Sequence, residues 1–114
     1  MHEFSVASSL INICLEKAKE NNAIKITNIK VKIGKLSGIE PHFLKEAFEV
    51  VKAGTIAEKC EFEYFLQDVV VYCNECKKES NVSENIFICM HCKSRDIRVI
   101  DGEELFLMNL ELEN

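Results

Sequence analysis

The sequence predicts an α+β fold: two helices on a three-stranded, mostly antiparallel sheet, with a four-cysteine module inserted before the last strand. Three observations predict it. Apolar residues recur at helical spacing in two segments, they alternate with polar residues in three others, and four of the six cysteines fall between residues 73 and 92, where regular patterning stops.

The first helix is expected over 4–20. Ala7, Leu10, Ile11, Cys14 and Ala18 share one face, and Asn21-Asn22 ends the segment. Ile13 and Leu15 lie off that stripe, which predicts cover on more than one side. A strand follows over 26–33, where Ile29, Val31 and Ile33 alternate with Asn28, Lys30 and Lys32. Gly34 to Gly38 reads as a turn. Pro41 then occupies the first position of the second helix, with Glu40 as its cap and Leu44, Ala47, Phe48 and Val51 as its buried stripe. Gly54 is the expected stop. The second strand puts Cys60, Phe62, Tyr64 and Leu66 on one face, and Glu61, Glu63 and Phe65 on the other. After Asp101-Gly102, a turn dipeptide, the last strand sets Phe106, Met108, Leu110 and Leu112 against Leu107, Asn109, Glu111 and Glu113. The division expected is one α/β domain from 1–70 and 99–114, and a module from 71–98.

Composition narrows the function. At 114 residues and 47% hydrophobic, the chain suits one compact domain with a small module. No apolar run exceeds five residues, so no membrane span is expected. The charged first twenty residues argue against a secretory signal, so the expected location is cytoplasmic. A net charge of −5 disfavours general nucleic-acid binding, which rests on neutralising phosphates. No nucleophile–base pair or phosphate-cradling loop is visible, so no enzymatic activity is expected.

Cys73-Asn74-Glu75-Cys76 and Cys89-Met90-His91-Cys92 are two Cys-x-x-Cys pairs twelve residues apart. Two such turns can complete a sulfur tetrahedron, and in a reducing compartment that pattern reads as a Zn(II) site of zinc-ribbon type. Four thiolates leave no open position for water, so the zinc is structural rather than catalytic. The 26-residue segment from Cys73 to Arg98 is also too poor in apolar residues to fold without such a staple. Cys14 and Cys60, on apolar faces, read as buried hydrophobes. His42 reads as exposed. His91 reads as a surface histidine, with exchange against a cysteine ligand as the other reading. Two rivals belong to other classes. One is a zinc-ribbon module for nucleic acid or protein interaction, where Lys77, Lys78, Lys93, Arg95 and Arg98 are nearly cancelled by Glu75, Glu79, Glu84 and Asp96. The other is a thiol oxidoreductase, which a closed zinc site disfavours.

Met1-His2-Glu3 carries a different chemistry. The Met1 amine, the His2 backbone nitrogen and the His2 imidazole together close a five- and a six-membered chelate ring, a nitrogen set suited to nickel or copper. Glu3 could add a backbone nitrogen or its carboxylate. Residue physics alone favours a frayed terminus here.

Taken together, these segments resemble the HypA/HybF family of hydrogenase nickel-insertion proteins over essentially all 114 residues. The resemblance rests on Met1-His2-Glu3 with Ser5 and the helix after it, and on Ile33-Gly34-Lys35-Leu36-Ser37-Gly38-Ile39-Glu40-Pro41 with Ala47-Phe48. It rests also on the twin cysteine pairs and on Gly102-Glu103-Glu104-Leu105 before the last strand. It implies a nickel metallochaperone with His2 as the key Ni(II) ligand and Glu3 beside it. It implies structural zinc on Cys73, Cys76, Cys89 and Cys92. The implied partners are a HypB-type GTPase and the large subunit of [NiFe]-hydrogenase, with urease maturation proteins in some members. One departure stands out: Lys77 and Lys93 follow the cysteine pairs where the family commonly has glycine, and Met90 stands where proline is frequent. Zinc binding is expected to survive this in a less rigid or more exposed module.

Overall fold

The computed structural model describes residues 2–82 and 86–114. The Met1 amine, and Glu84 with its two neighbours, lie outside the described residues. The chain forms two compact units. The first comprises Met1–Lys32, Ile39–Phe65 and Phe106–Asn114, and the second Ile33–Gly38 and Leu66–Leu105.

In the first unit, helix α1 spans Glu3–Glu20 and buries the expected stripe of Ala7, Leu10, Ile11, Cys14 and Ala18. It stops as Asn21-Asn22 suggested. Asn22 takes a left-handed φ of 56°. The Ala23 N–H then reaches back to the Ala18 carbonyl at 2.9 Å and the Asn22 N–H to Lys19 at 3.1 Å, the two bonds of a Schellman motif. Ile13 is exposed and Leu15 half-buried, so cover on a second side is not found. A stripe one helix face wide suffices to pack α1.

Helix α2 spans Pro41–Val51, with proline at its first position and the Glu40 carboxylate accepting the His42 N–H. Leu44 and Phe48 are fully buried, and the Phe48 ring lies 4.7 Å from that of Phe62. Lys52 follows the helix and is buried. Its ammonium donates to the Cys60 carbonyl at 2.9 Å and pairs with Glu49 at 3.1 Å. A buried cation needs such partners, and these tie the turns after α2 to the start of the next strand.

Strands β1 (Lys25–Gly34), β2 (Glu61–Gln67) and a last strand over Leu105–Glu113 form a sheet with β1 in the middle. Ile29, Val31 and Ile33 point into the core as expected. Contacts between β1 and β2 advance together along both strands: Asn28 bonds Glu63, and the Lys35 N–H bonds the Gln67 carbonyl. These two strands therefore run parallel, with α2 as the crossover that a parallel pair requires. Contacts to the last strand run the other way, from Ile24 with Glu113 to Gly34 with Glu104.

Two side-chain expectations fail in this sheet. Tyr64 and Leu66 are exposed, because β2 is an edge strand and only Cys60 and Phe62 lie under cover. In the last strand Phe106 and Met108 are exposed while Leu107, Leu110 and Leu112 are half-buried. The alternation slips by one residue between Met108 and Asn109, as it does on β1 between Thr27 and Asn28. Phe106 consequently shares the outer face with Lys32, whose ammonium sits 5.0 Å from its ring centre.

The second unit holds a further three-stranded sheet, built by strands the sequence pattern did not disclose. Strand β3 (Val69–Cys73) lies between β4 (Glu79–Val82) and β5 (Ile97–Asp101), antiparallel to both, and the Leu105–Glu113 strand is thus β6. Val69, Val71 and Val82 form its core, with Ile97 and Val99 against them. The loop after β1 is sewn into this unit. Gly34 N–H bonds the Glu104 carbonyl at 3.0 Å and Leu36 N–H that of Gly102 at 2.8 Å. A Cβ on Gly34 would stand 2.3 Å from the Gly102 carbonyl, so glycine is obligatory at that crossing.

Candidate metal centre

Strand β3 delivers Cys73 to the start of the first tight turn, and the second turn, at Cys89, precedes β5. The two turns repeat one design. Lys77 N–H bonds the Cys73 carbonyl at 3.0 Å and Cys73 N–H the Lys78 carbonyl at 3.0 Å. Lys93 N–H bonds the Cys89 carbonyl at 2.9 Å and Cys89 N–H the Ser94 carbonyl at 2.8 Å. Closing each turn needs a left-handed residue after the second cysteine, and here lysine takes it: φ is 63° at Lys77 and 65° at Lys93. The departure from glycine is thus accommodated in the same backbone shape, at a strain of about 1–2 kcal/mol per residue.

Inside each turn, amides face sulfur. Cys76 N–H approaches the Cys73 Sγ at 3.4 Å. The N–H groups of His91 and Cys92 approach the Cys89 Sγ at 3.3 and 3.4 Å. The four sulfurs lie within 4.8 Å of one another. The shortest gaps, both 3.6 Å, join Cys73 to Cys92 and Cys76 to Cys89, across the two turns. Zinc–sulfur bonds of about 2.3 Å give a tetrahedral edge of about 3.8 Å, so the donor set fits Zn(II) in size as well as in chemistry. Cys73 and Cys89 are fully buried, while Cys92 is exposed.

Charge is distributed unevenly among the thiols. The Cys92 backbone N–H, helped by that of His91, holds Cys89 down at about 6. The Ser94 N–H pulls Cys92 down as well, but the Cys73 sulfur and burial outweigh it, and this thiol is pushed up to about 12. Four clustered sulfurs cannot all ionise without a cation among them, whereas a dication would take up their protons' place. His91 is not part of the cluster. Its Nε2 lies 3.1 Å from the Glu79 carbonyl, the surface placement expected of it. Arg98, one of the basic residues near the cysteines, rests over the Tyr72 ring at 4.9 Å. Cys14 and Cys60 are buried in the first unit, and burial pushes the Cys14 thiol up to about 11, as befits inert core residues.

The N-terminal residues are arranged differently. His2 caps α1 with its backbone, its carbonyl accepting the Val6 N–H at 2.9 Å, while its side chain makes no capping bond and is exposed. Glu3 begins the helix, and its carboxylate accepts the Glu40 backbone N–H at 2.9 Å. That bond holds the Glu3 carboxyl down at about 2. In a capping box a glutamate at the third helical position satisfies the cap residue's own N–H. In α2 that position is Phe43, which cannot, and Glu3 supplies the carboxylate from the other helix. Sequence reading placed Glu3 beside His2 but missed its bond to Glu40. The incomplete capping box was the available signal.

Comparison with known proteins places the whole chain in one family. Residues 1–112 match the family model described as hydrogenase/urease nickel incorporation, metallochaperone, hypA. The hydrogenase maturation factor HypA of Aquifex aeolicus is 43% identical over 113 residues, covering 99% of this chain and 98% of the relative. That of Shewanella sp. strain MR-7 is also 43% identical, over 99% of this chain and 96% of its own. Among solved structures, the solution structure of the Ni metallochaperone HypA from Helicobacter pylori superposes with a TM-score of 0.72 at 31% identity. It covers 99% of this chain and 98% of that one. A second HypA solution structure reaches 0.76 at 31% identity, covering 98% and 96%. With residues 1–112 matched by one family model and relatives 43% identical over 99% of its length, the chain belongs to the HypA family of nickel-incorporation metallochaperones.

Proposed function

We propose that the chain carries Ni(II) for hydrogenase maturation, taking the ion at its N-terminus and passing it on. It acts as a carrier rather than as a catalyst, in the cytoplasm. The observation that carries the reading is family membership over residues 1–112, a range that includes His2. The Met1 amine and the His2 imidazole and backbone nitrogen are the ligands. Glu3, whose carboxylate accepts the Glu40 N–H, adds a backbone nitrogen or its carboxylate. A site of few ligands on an exposed terminus exchanges its ion readily, which delivery requires. Copper binds such a set more tightly than nickel, so selectivity comes from supply and from docking. The docking partners are a HypB-type GTPase and the hydrogenase large subunit. Urease maturation is a second destination, because the family description names both enzymes.

In this reading the 1–70 and 99–114 portion handles nickel, and 71–98 holds structural Zn(II) on Cys73, Cys76, Cys89 and Cys92. Calorimetric nickel titration of untagged protein against His2→Ala, with zinc assayed in both, tests it. Loss of nickel with one zinc retained supports two separate sites, and unchanged nickel binding overturns the N-terminal one. Nickel must displace protons from imidazole and amine, whose reference values are about 6.5 and 7.7–8.0. Affinity therefore falls below about pH 6.5. An N-terminal extension, which turns the amine into an amide, abolishes native binding.

A further inference from the structure

We propose that His42 and Glu46 on α2 form a second, weaker Ni(II) site beside the N-terminal one, a surface station through which the ion is loaded or handed over. The proposal rests on the nickel reading above. His42 and Glu46 stand one turn apart on the same face of α2. The His42 Nε2 lies 3.3 Å from the Glu46 Oε1, with the two side chains 71% and 63% exposed. Imidazole and carboxylate are both ligands for a borderline dication. Ligand atoms bound at about 2.0–2.1 Å lie about 2.8–3.0 Å apart as neighbours in an octahedral sphere and about 3.3–3.4 Å apart in a tetrahedral one. The pair is within about 0.5 Å of either spacing, a gap that side-chain rotation closes without rearranging the helix.

Placement makes it more than a helix ion pair. The His42 N–H donates to the Glu40 carboxylate at 3.0 Å, and the Glu40 N–H donates to the Glu3 carboxylate at 2.9 Å. His2 is the residue before Glu3. An unbroken set of contacts thus leads from the helix pair to the terminal histidine. Among the described residues of this helix start, the carboxylates of Glu3, Glu40 and Glu46 outnumber the Lys45 ammonium, and they offset the positive end of the α2 dipole. Two protein ligands completed by water hold nickel weakly and release it quickly, which suits transfer and not storage.

The test uses untagged, zinc-loaded full chain and aqueous Ni(II) alone. High-spin nickel on one imidazole, one carboxylate and water is paramagnetic and broadens nearby NMR signals. In His2→Ala the tight equivalent disappears, and a weaker one remains that broadens the signals of His42 and Glu46. Adding His42→Ala or, conserving shape, Glu46→Gln weakens that second equivalent by about tenfold or more, since losing a ligand costs no less than losing a group that supports one. Equal weak binding with and without His42, or broadening centred on His91, overturns the proposal and marks the pair as an ion pair only. Failure of the N-terminal reading looks different. His2→Ala then leaves the tight equivalent intact, while broadening at His42 is still read separately.

Discussion

At the four-cysteine centre each turn is closed by two backbone bonds and a left-handed residue, and amides face its first sulfur. At the N-terminus, exposed His2 caps the start of α1, and its neighbour Glu3 accepts the Glu40 backbone N–H. On the zinc reading proposed above, the first arrangement folds together with its ion, so release would cost the fold of the two turns as well as the sulfur bonds. On the nickel reading, the second leaves exposed His2 at the surface, where an ion could enter and leave. The two proposed sites thus contrast retention with exchange, and the difference lies in how much backbone surrounds the candidate ligands.

The comparison breaks most clearly at the ligands themselves. Cys89→Ser is expected to abolish zinc binding, whose free energy of roughly 10–16 kcal/mol in isolated modules is coupled to folding. NMR signals of Val69–Cys73 and Ile97–Asp101 should lose dispersion while those of α1 and α2 persist. His2→Ala should leave thermal stability within about 0.5 kcal/mol, as surface substitutions do. If Cys89→Ser keeps its zinc, or His2→Ala unfolds the first unit, the contrast is wrong.

The next effect concerns the crossing that supports the cysteine sheet. Gly102 has a φ of 99°, and a Cβ there would lie 2.8 Å from the Asp68 carbonyl oxygen. Gly102→Ala therefore adds overpacking to backbone strain and should cost about 2–5 kcal/mol in denaturant unfolding. A cost below about 1 kcal/mol would mean that the crossing relaxes freely.

A smaller effect of opposite sign is expected at the turns. Lys77→Gly and Lys93→Gly relieve left-handed strain at those two positions and should each stabilise by about 1 kcal/mol, net of the glycine's freedom when unfolded. Zinc loss to a chelator should slow accordingly. Faster loss would show that the lysine charges matter more than the strain.

The smallest effect sharpens the other side. The Glu40 N–H is the largest of several contacts that together lower the Glu3 carboxyl from 4.5 to about 2. A lowered folded-state value means that the tether contributes fully above about pH 4.5 and is lost as pH falls through about 2. The Glu40 amide shift should titrate with that low midpoint. A midpoint near 4.5 would show that the bond is not kept in solution.

Much of this architecture is legible because it is local. The α1 stripe, the Asn21-Asn22 stop, the Glu40 cap with Pro41, and the twin cysteine spacing all express interactions within a few residues. Tyr64, Leu66, Phe106 and Met108 were misplaced because alternation says which residues share a face, but not which length of that face is covered. Strand β4, Glu-Ser-Asn-Val, carries no pattern of its own and is a strand only because β3 lies beside it.

The sequence by itself determined the helices, their caps, the metal-ligand candidates at the N-terminus and in the cysteine turns, and the family. Tertiary structure alone decided the parallel pairing of β1 and β2, the second sheet, the glycine crossing of Gly34 with Gly102, and the bond from Glu3 to Glu40. The reason is physical. Periodicity and turn chemistry are properties of neighbouring residues, whereas the partner of an edge strand or an unsatisfied amide is chosen by whatever distant segment the folded chain brings alongside.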